Sequence, residues 1–307
     1  MLRFFSLQAG RDRRGLLNHV NDERLSFPAF FVIMKELHKL GSFSELRPRN
    51  LAALRICSDK ISIPGWKSAV QIDNTQVHEA LLWMFNTGKH WEGPSRGRDD
   101  FDMLIDYIAS MLVVTYDDRT VLRDIADIIF RRNRKGQFIH DLVWAFFQTL
   151  DKESPALIAE RLLSGNSRDV ELACKLLHLD PPESITGAAK KRKYDEYITW
   201  LNENRPYLYL TGEHFQQMEN PKHFDIDMEA KYLGKEISPR FKTPVERLTR
   251  EEVECLESFR SASSHEREML ADYSCKLRSR DMNQWRDWIR KDIARQVMSA
   301  RAGDEVV

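Results

Sequence analysis

The chain has no excess of charge, no paired cysteines, no apolar run long enough to cross a bilayer, and no intact nucleotide-binding or hydrolase motif. Lys+Arg and Asp+Glu both number 47, so the formal net charge is zero. Proteins whose main partner is nucleic acid usually carry a basic excess. The balance argues against that partner and leaves room for a local patch. The four cysteines, Cys57, Cys174, Cys255 and Cys275, form no CxxC pair. Each sits among apolar helical residues, the pattern of buried free thiols in a reducing cytosol. The most apolar internal stretch, Ile105 to Tyr116, is interrupted by Asp106 and is too short to span a membrane. The opening residues MLRFFSLQAGRDRRG lack the apolar core of a signal peptide. The expected location is cytoplasmic.

Catalytic motifs fail one by one. The stretch GPSRGRDD has two glycines and two arginines but no Lys-Ser/Thr ending, so it is not a P-loop. GxSxG is absent. His78-Glu79 lacks the second histidine of a zinc-protease helix, because Leu82 stands there, and His265-Glu266 fails likewise. His140-Asp141 is the adjacent pair used by HD-type metal phosphohydrolases, which need further His and Asp ligands. His90, His178 and Asp180 have no second motif to fix them, so a polar pair at the start of a core helix is the plainer reading. Asp99, Asp100, Asp102 and Asp106 cluster at a helix start, where the macrodipole favours acids. The expectation is no catalytic residue, no metal and no cofactor.

What the chain does have is helical periodicity. Its 307 residues, 42% hydrophobic and 31% charged, suffice for one large domain or two ordinary ones. Apolar stripes predict helices over 26–40, 47–57, 74–86, 101–116, 120–132 and 137–150. Pro64-Gly65 marks a turn between them. Glu153 to Asp180 reads as two short amphipathic helices. Leu157, Ile158, Leu162 and Leu163 form one stripe, and Val170, Ala173, Leu176 and Leu177 form the next. Ser164-Gly165-Asn166-Ser167 joins them, with Gly165 suited to a left-handed helix end. This hairpin resembles those of HEAT-type helical-repeat proteins. The resemblance implies stacked neighbours, since one hairpin cannot bury its stripe alone. It also implies a surface that binds more than a pocket that reacts.

DPPESITGAAKKRK, residues 180–193, reads as a linker or long exposed loop. Beyond it, 194–204 is amphipathic, with Tyr197, Ile198, Trp200 and Leu201 on its apolar side. Tyr207 to Leu210 is an extended segment or helix start with no evident partner strand. Residues 227–235 predict a helix. Thr249 with Glu252, and Ser263 with Glu266, are capping boxes that open two more, and a last helix runs over 282–302. The run EAKYLGKEISPR (Glu229 to Arg240), with YLTGEHFQQ before it, resembles an uncharacterised protein family of spore-forming bacteria, which implies no activity and no site residues.

The expected fold is all-α: an irregular HEAT-like helical-hairpin array over 1–180, a linker at 181–193, and a smaller C-terminal helical unit over 194–307. The expected function is a non-enzymatic scaffold that binds a protein or peptide. Five tryptophans at helical spacing read as core, whereas Trp66 and Trp91 lie in loops containing Pro or Gly. Loop tryptophans are lids on a core or binding anchors. The candidate binding residues are therefore Trp66, Lys89, Trp91, Arg96 and Arg98. Two basic runs, Arg131-Arg132-Asn133-Arg134-Lys135 and Lys190-Lys191-Arg192-Lys193, offer a phosphate-rich partner a place to dock. The rival readings are a HEAT-like DNA-binding protein or alkylated-base DNA glycosylase, with Trp91, Asp99 and Arg98 as its residue types, and the HD-type phosphohydrolase.

Overall fold

The computed structural model describes residues 12–40, 43–66, 73–91, 98–149, 152–182, 184 and 186–304. The protein is all-α: 66% is helical, and fifteen α-helices and one two-stranded sheet lie among the described residues. That rhythm of helix after helix is compatible with a helical-repeat array. None of the described helices is long and apolar enough to cross a membrane. The chain divides into two compact units, residues 1–149 and 150–307.

In the first unit α1 (Arg13–Val20) is opened by Asp12, whose carboxylate accepts from the Gly15 N–H at 2.9 Å. α2 (Phe27–Met34) buries Phe27, Pro28, Phe30, Phe31, Ile33 and Met34, so it is apolar almost all round and sits at the centre. α3 (Pro48–Ser58) and α4 (Asn74–Gly88) follow, the latter capped by Asp73. α5 (Arg98–Ser110) continues into a π turn over Met111–Thr115, where 101–116 reads in sequence as one regular helix. α6 (Leu122–Arg134) and α7 (His140–Phe147) complete the unit. α4 packs on α2, α3 and α5, and α5 packs on α7. Gly88 allows the close approach at the end of α4. A Cβ there would lie 2.9 Å from Ile105 Cδ1 and 3.3 Å from the Phe27 and Phe101 rings.

The hairpin opens the second unit, so it falls outside the N-terminal array where the sequence reading places it. α8 (Ser154–Ala159) runs into a 3-10 turn over Glu160–Leu163, and α9 (Ser167–Leu177) returns. Leu162 and Val170 are both buried, but Leu163 of the same expected stripe is 44% exposed, because the 3-10 turn rotates it off the buried face. Gly165 does not take the left-handed conformation. Asn166 caps α9 from its own side chain instead, and Ser164 Oγ donates to Asp169 Oδ2 at 2.8 Å. The left-handed residue is His178, at φ 53°. The N–H of His178 bonds Lys175 O and that of Leu179 bonds Cys174 O, the Schellman closure of α9.

The expected linker is mostly helix: α10 (Gly187–Asn204) takes in residues 187–193, with Thr186 as its cap. Burial explains this. The stem of Lys190 is covered, and its ammonium donates to Ser164 O at 2.7 Å. β1 (Leu208–Leu210) does have a partner, pairing antiparallel with β2 (Phe224–Ile226), a strand too short for its period to show in sequence. α11 (Met228–Leu233), α12 (Arg250–Arg260) and α13 (Ser264–Arg280) follow, and both expected capping boxes are present. The last expected helix is two, α14 (Met282–Ile289) and α15 (Ile293–Asp304). Gln296 stabilises the break, donating to the Ile289 and Lys291 carbonyls at 3.0 and 2.8 Å while accepting from Tyr232 Oη at 2.8 Å.

Candidate functional site

A cavity of about 440 Å³ opens in the second unit, within the size range of ligand sites. Three local structures supply its walls. The Schellman turn after α9 delivers His178 and Leu179. One face of α10 delivers Lys193, Glu196, Tyr197 and Trp200, at i, i+3, i+4 and i+7. β2 and its approach deliver Lys222 through Ile226, with Met228 and Glu268 at the margin.

The Tyr197 and Trp200 rings stack at 5.5 Å with 28° between planes. Tyr197 is 3% exposed, and its hydroxyl has no hydrogen-bond partner. Burial raises its phenol pKa, so it stays protonated. His178 Nε2 lies 2.7 Å from Pro221 O, and His223 Nδ1 lies 3.2 Å from Glu213 O. Burial pushes the His223 pKa down to about 4, keeping the ring neutral at pH 7. Glu213 also accepts from the Lys222 N–H at 2.7 Å, which ties the segment before β2 to its own strand. Lys222 and Asp225 form an ion pair at 2.6 Å. Beyond Trp200 a shallow depression on the outer face of α10 shares Glu196 and Trp200 with the cavity and continues past Lys191, Asp195 and Glu203. No protein-family profile, curated protein or solved structure matches the chain.

In the first unit, Trp91 meets Phe101 edge-on at 4.3 Å and Phe31 at 6.1 Å, and is half-buried over the aromatic core around α2. Lys89 is bound to Asp124 at 2.6 Å, and its carbonyl accepts from Arg131. Trp66 packs edge-on against Phe43 at 5.4 Å. Lys89 and Trp91 are thus neighbours at the end of α4, while Trp66 lies on a separate contact. Arg96 and the side chain of Arg98 lie outside the described residues, as does the whole of 92–97.

The basic runs are partly internal. Arg132 is buried on Asp106 and Asp102 at 2.7 and 3.3 Å, and Lys190 is buried on Ser164. Lys191 pairs with Asp195 at 2.5 Å. Among the described residues no group of three or more His, Cys, Asp or Glu can hold a metal, His140 and Asp141 included.

In the sequence Tyr197 and Trp200 read simply as the apolar side of a helix. A signal was present: Lys193 and Glu196 share the face with the two aromatics, whereas a face meant only for the core separates charge from ring. His178 and the residues of β2 carry no comparable signal, because their placement depends on a turn conformation and a strand partner.

Proposed function

We propose that the protein is a non-enzymatic binding scaffold, HEAT-like in its helical hairpins, that holds an extended peptide segment of a partner protein against α10. The observation that carries this reading is the meeting of two hollows at Trp200 and Glu196. A small molecule fills one hollow. An extended chain runs through both, with an anchor side chain in the deeper one, as buried aromatic sites commonly receive peptides. The free state of all four cysteines supports a reducing, cytoplasmic setting. Lys89, Trp91, Arg96 and Arg98 make up a second candidate contact, supported by the part of Trp91 that remains open to solvent, and Trp66 stands as a separate one. The inward engagement of Arg132 and Lys190 leaves the nucleic-acid reading with less support than the peptide one.

The test is selection from a displayed library of random twelve-residue peptides on the whole chain, repeated on Trp200→Ala. Peptides retained by the parent and lost by the variant are the expected result, with circular dichroism confirming that the variant folds. Selection that yields only peptides indifferent to Trp200→Ala removes the cleft as a binding site.

A further inference from the structure

The partners of the cleft's polar groups set its character. A backbone carbonyl only accepts, so His178 Nε2 carries a hydrogen toward Pro221, and His223 Nδ1 carries one toward Glu213. In the neutral His223 ring the other nitrogen is then an acceptor, enclosed by protein. The neutral His223 ring also adds no positive charge to the wall. Glu196 and Glu268 put two carboxylates at the margin, and the Lys222 charge is answered by Asp225 at 2.6 Å. Lys193 is the one further cation among the residues lining the cavity. The Tyr197 hydroxyl is enclosed and without a partner, so it adds neither a donor nor an acceptor to the open wall. Acceptors therefore outweigh donors around a stacked aromatic pair.

We infer that the cleft receives an arginine side chain of the partner segment. Its guanidinium lies against the Trp200 ring, which Tyr197 backs from within, and its N–H groups are directed at the Glu196 and Glu268 carboxylates. This rests on the reading that the cleft holds a peptide. Guanidinium offers five donors and no acceptor, the complement of this wall. It is planar and weakly hydrated, so it stacks on aromatic faces and is drawn to their negative quadrupole. Its methylene stem has Leu177, Leu179 and Ile226 to lie on. Lysine brings the same charge as a compact, strongly hydrated point with no plane to stack.

The experiment takes the library peptides that depend on Trp200 and asks what they share. An arginine common to them is expected. Synthetic peptides with that arginine replaced by citrulline, the neutral near-isostere, are expected to bind about tenfold more weakly or worse, the scale of a lost charge-assisted hydrogen bond. The Glu196→Gln/Glu268→Gln double variant changes two exposed side chains, so its fold is expected to persist. It is expected to lose affinity for the arginine peptide and keep it for the citrulline peptide. Lys193→Gln is expected to tighten the arginine peptide. Trp200-dependent peptides that lack arginine, or that bind equally well with citrulline, overturn the inference and leave the peptide-binding reading standing. A library with no Trp200-dependent peptide removes both.

Discussion

Asp106 and Arg132 are ionisable side chains buried inside the first unit, 7% and 5% exposed, and joined at 2.7 Å. Burial dominates the titration of Asp106 and pushes its pKa up to about 7, against the pull of Arg132, with Asp141 and Asp102 pushing the same way as burial. A carboxyl whose folded pKa lies above its unfolded value binds more protons folded than unfolded. Its contribution to stability is complete below about pH 4 and is lost as pH rises to about 7. Asp106→Asn cannot titrate. The stability of the variant relative to the parent is therefore expected to rise between pH 4 and pH 8, measured by urea unfolding at several pH values. A constant difference across that range would mean that Arg132 holds the carboxylate ionised throughout. In sequence Arg132 reads as part of a basic run. Its position seven residues after Ile125 and three after Ile129 puts it on the buried stripe of α6. Only α5, with Asp102 and Asp106 four residues apart, makes that burial tolerable.

At the scale of the element, the hairpin of α8 and α9 shows what periodicity determines and what it leaves open. Leu162 is 1% exposed where its stripe predicts burial. Leu162→Ala is expected to cost ~2–5 kcal/mol, the usual range for a core leucine, read as a shift in the urea midpoint at unchanged slope. A loss below about 0.5 kcal/mol, typical of surface sites, would place the stripe outside the core. The turn chemistry was less legible. Gly165 has the residue type for a left-handed helix end, yet His178 adopts that conformation and is held by its bond to Pro221. The break between α14 and α15 has one local mark, Asp292, whose carboxylate caps α15 by accepting from the Arg295 N–H at 3.0 Å. Gln296 satisfies the freed carbonyls only because Tyr232, from α11, holds its other end.

At the scale of the whole molecule, the boundary falls at residue 149, not at the Pro-rich composition shift near 181. The second unit has its own core, with Tyr232, Leu256, Phe259, Leu270 and Trp288 among its buried members. A unit with a separate core is expected to fold alone. Expressed by itself, 150–307 should give a helical circular dichroism spectrum and one cooperative urea transition. A molten spectrum with no transition would show that this core needs the preceding residues.

The helical class, the helix starts marked by Thr249 and Ser263, the burial of Leu162 and Val170 in the hairpin and the absence of a long apolar span were decided by sequence alone. These depend on the 3.6-residue period and on capping between residues three apart, both of which are local. Tertiary structure decided the rest. It turned a linker into the start of α10, paired two three-residue strands, drew Arg132 and Lys190 inward, and set Trp91 edge-on against Phe101. The cleft belongs to the same class: Tyr197 and His223 lie 26 positions apart in the sequence, and β2 lines the wall only after pairing with β1. A site assembled from a turn, a helix face and a strand leaves no spacing to read, because the contacts that make it are between elements and not along them.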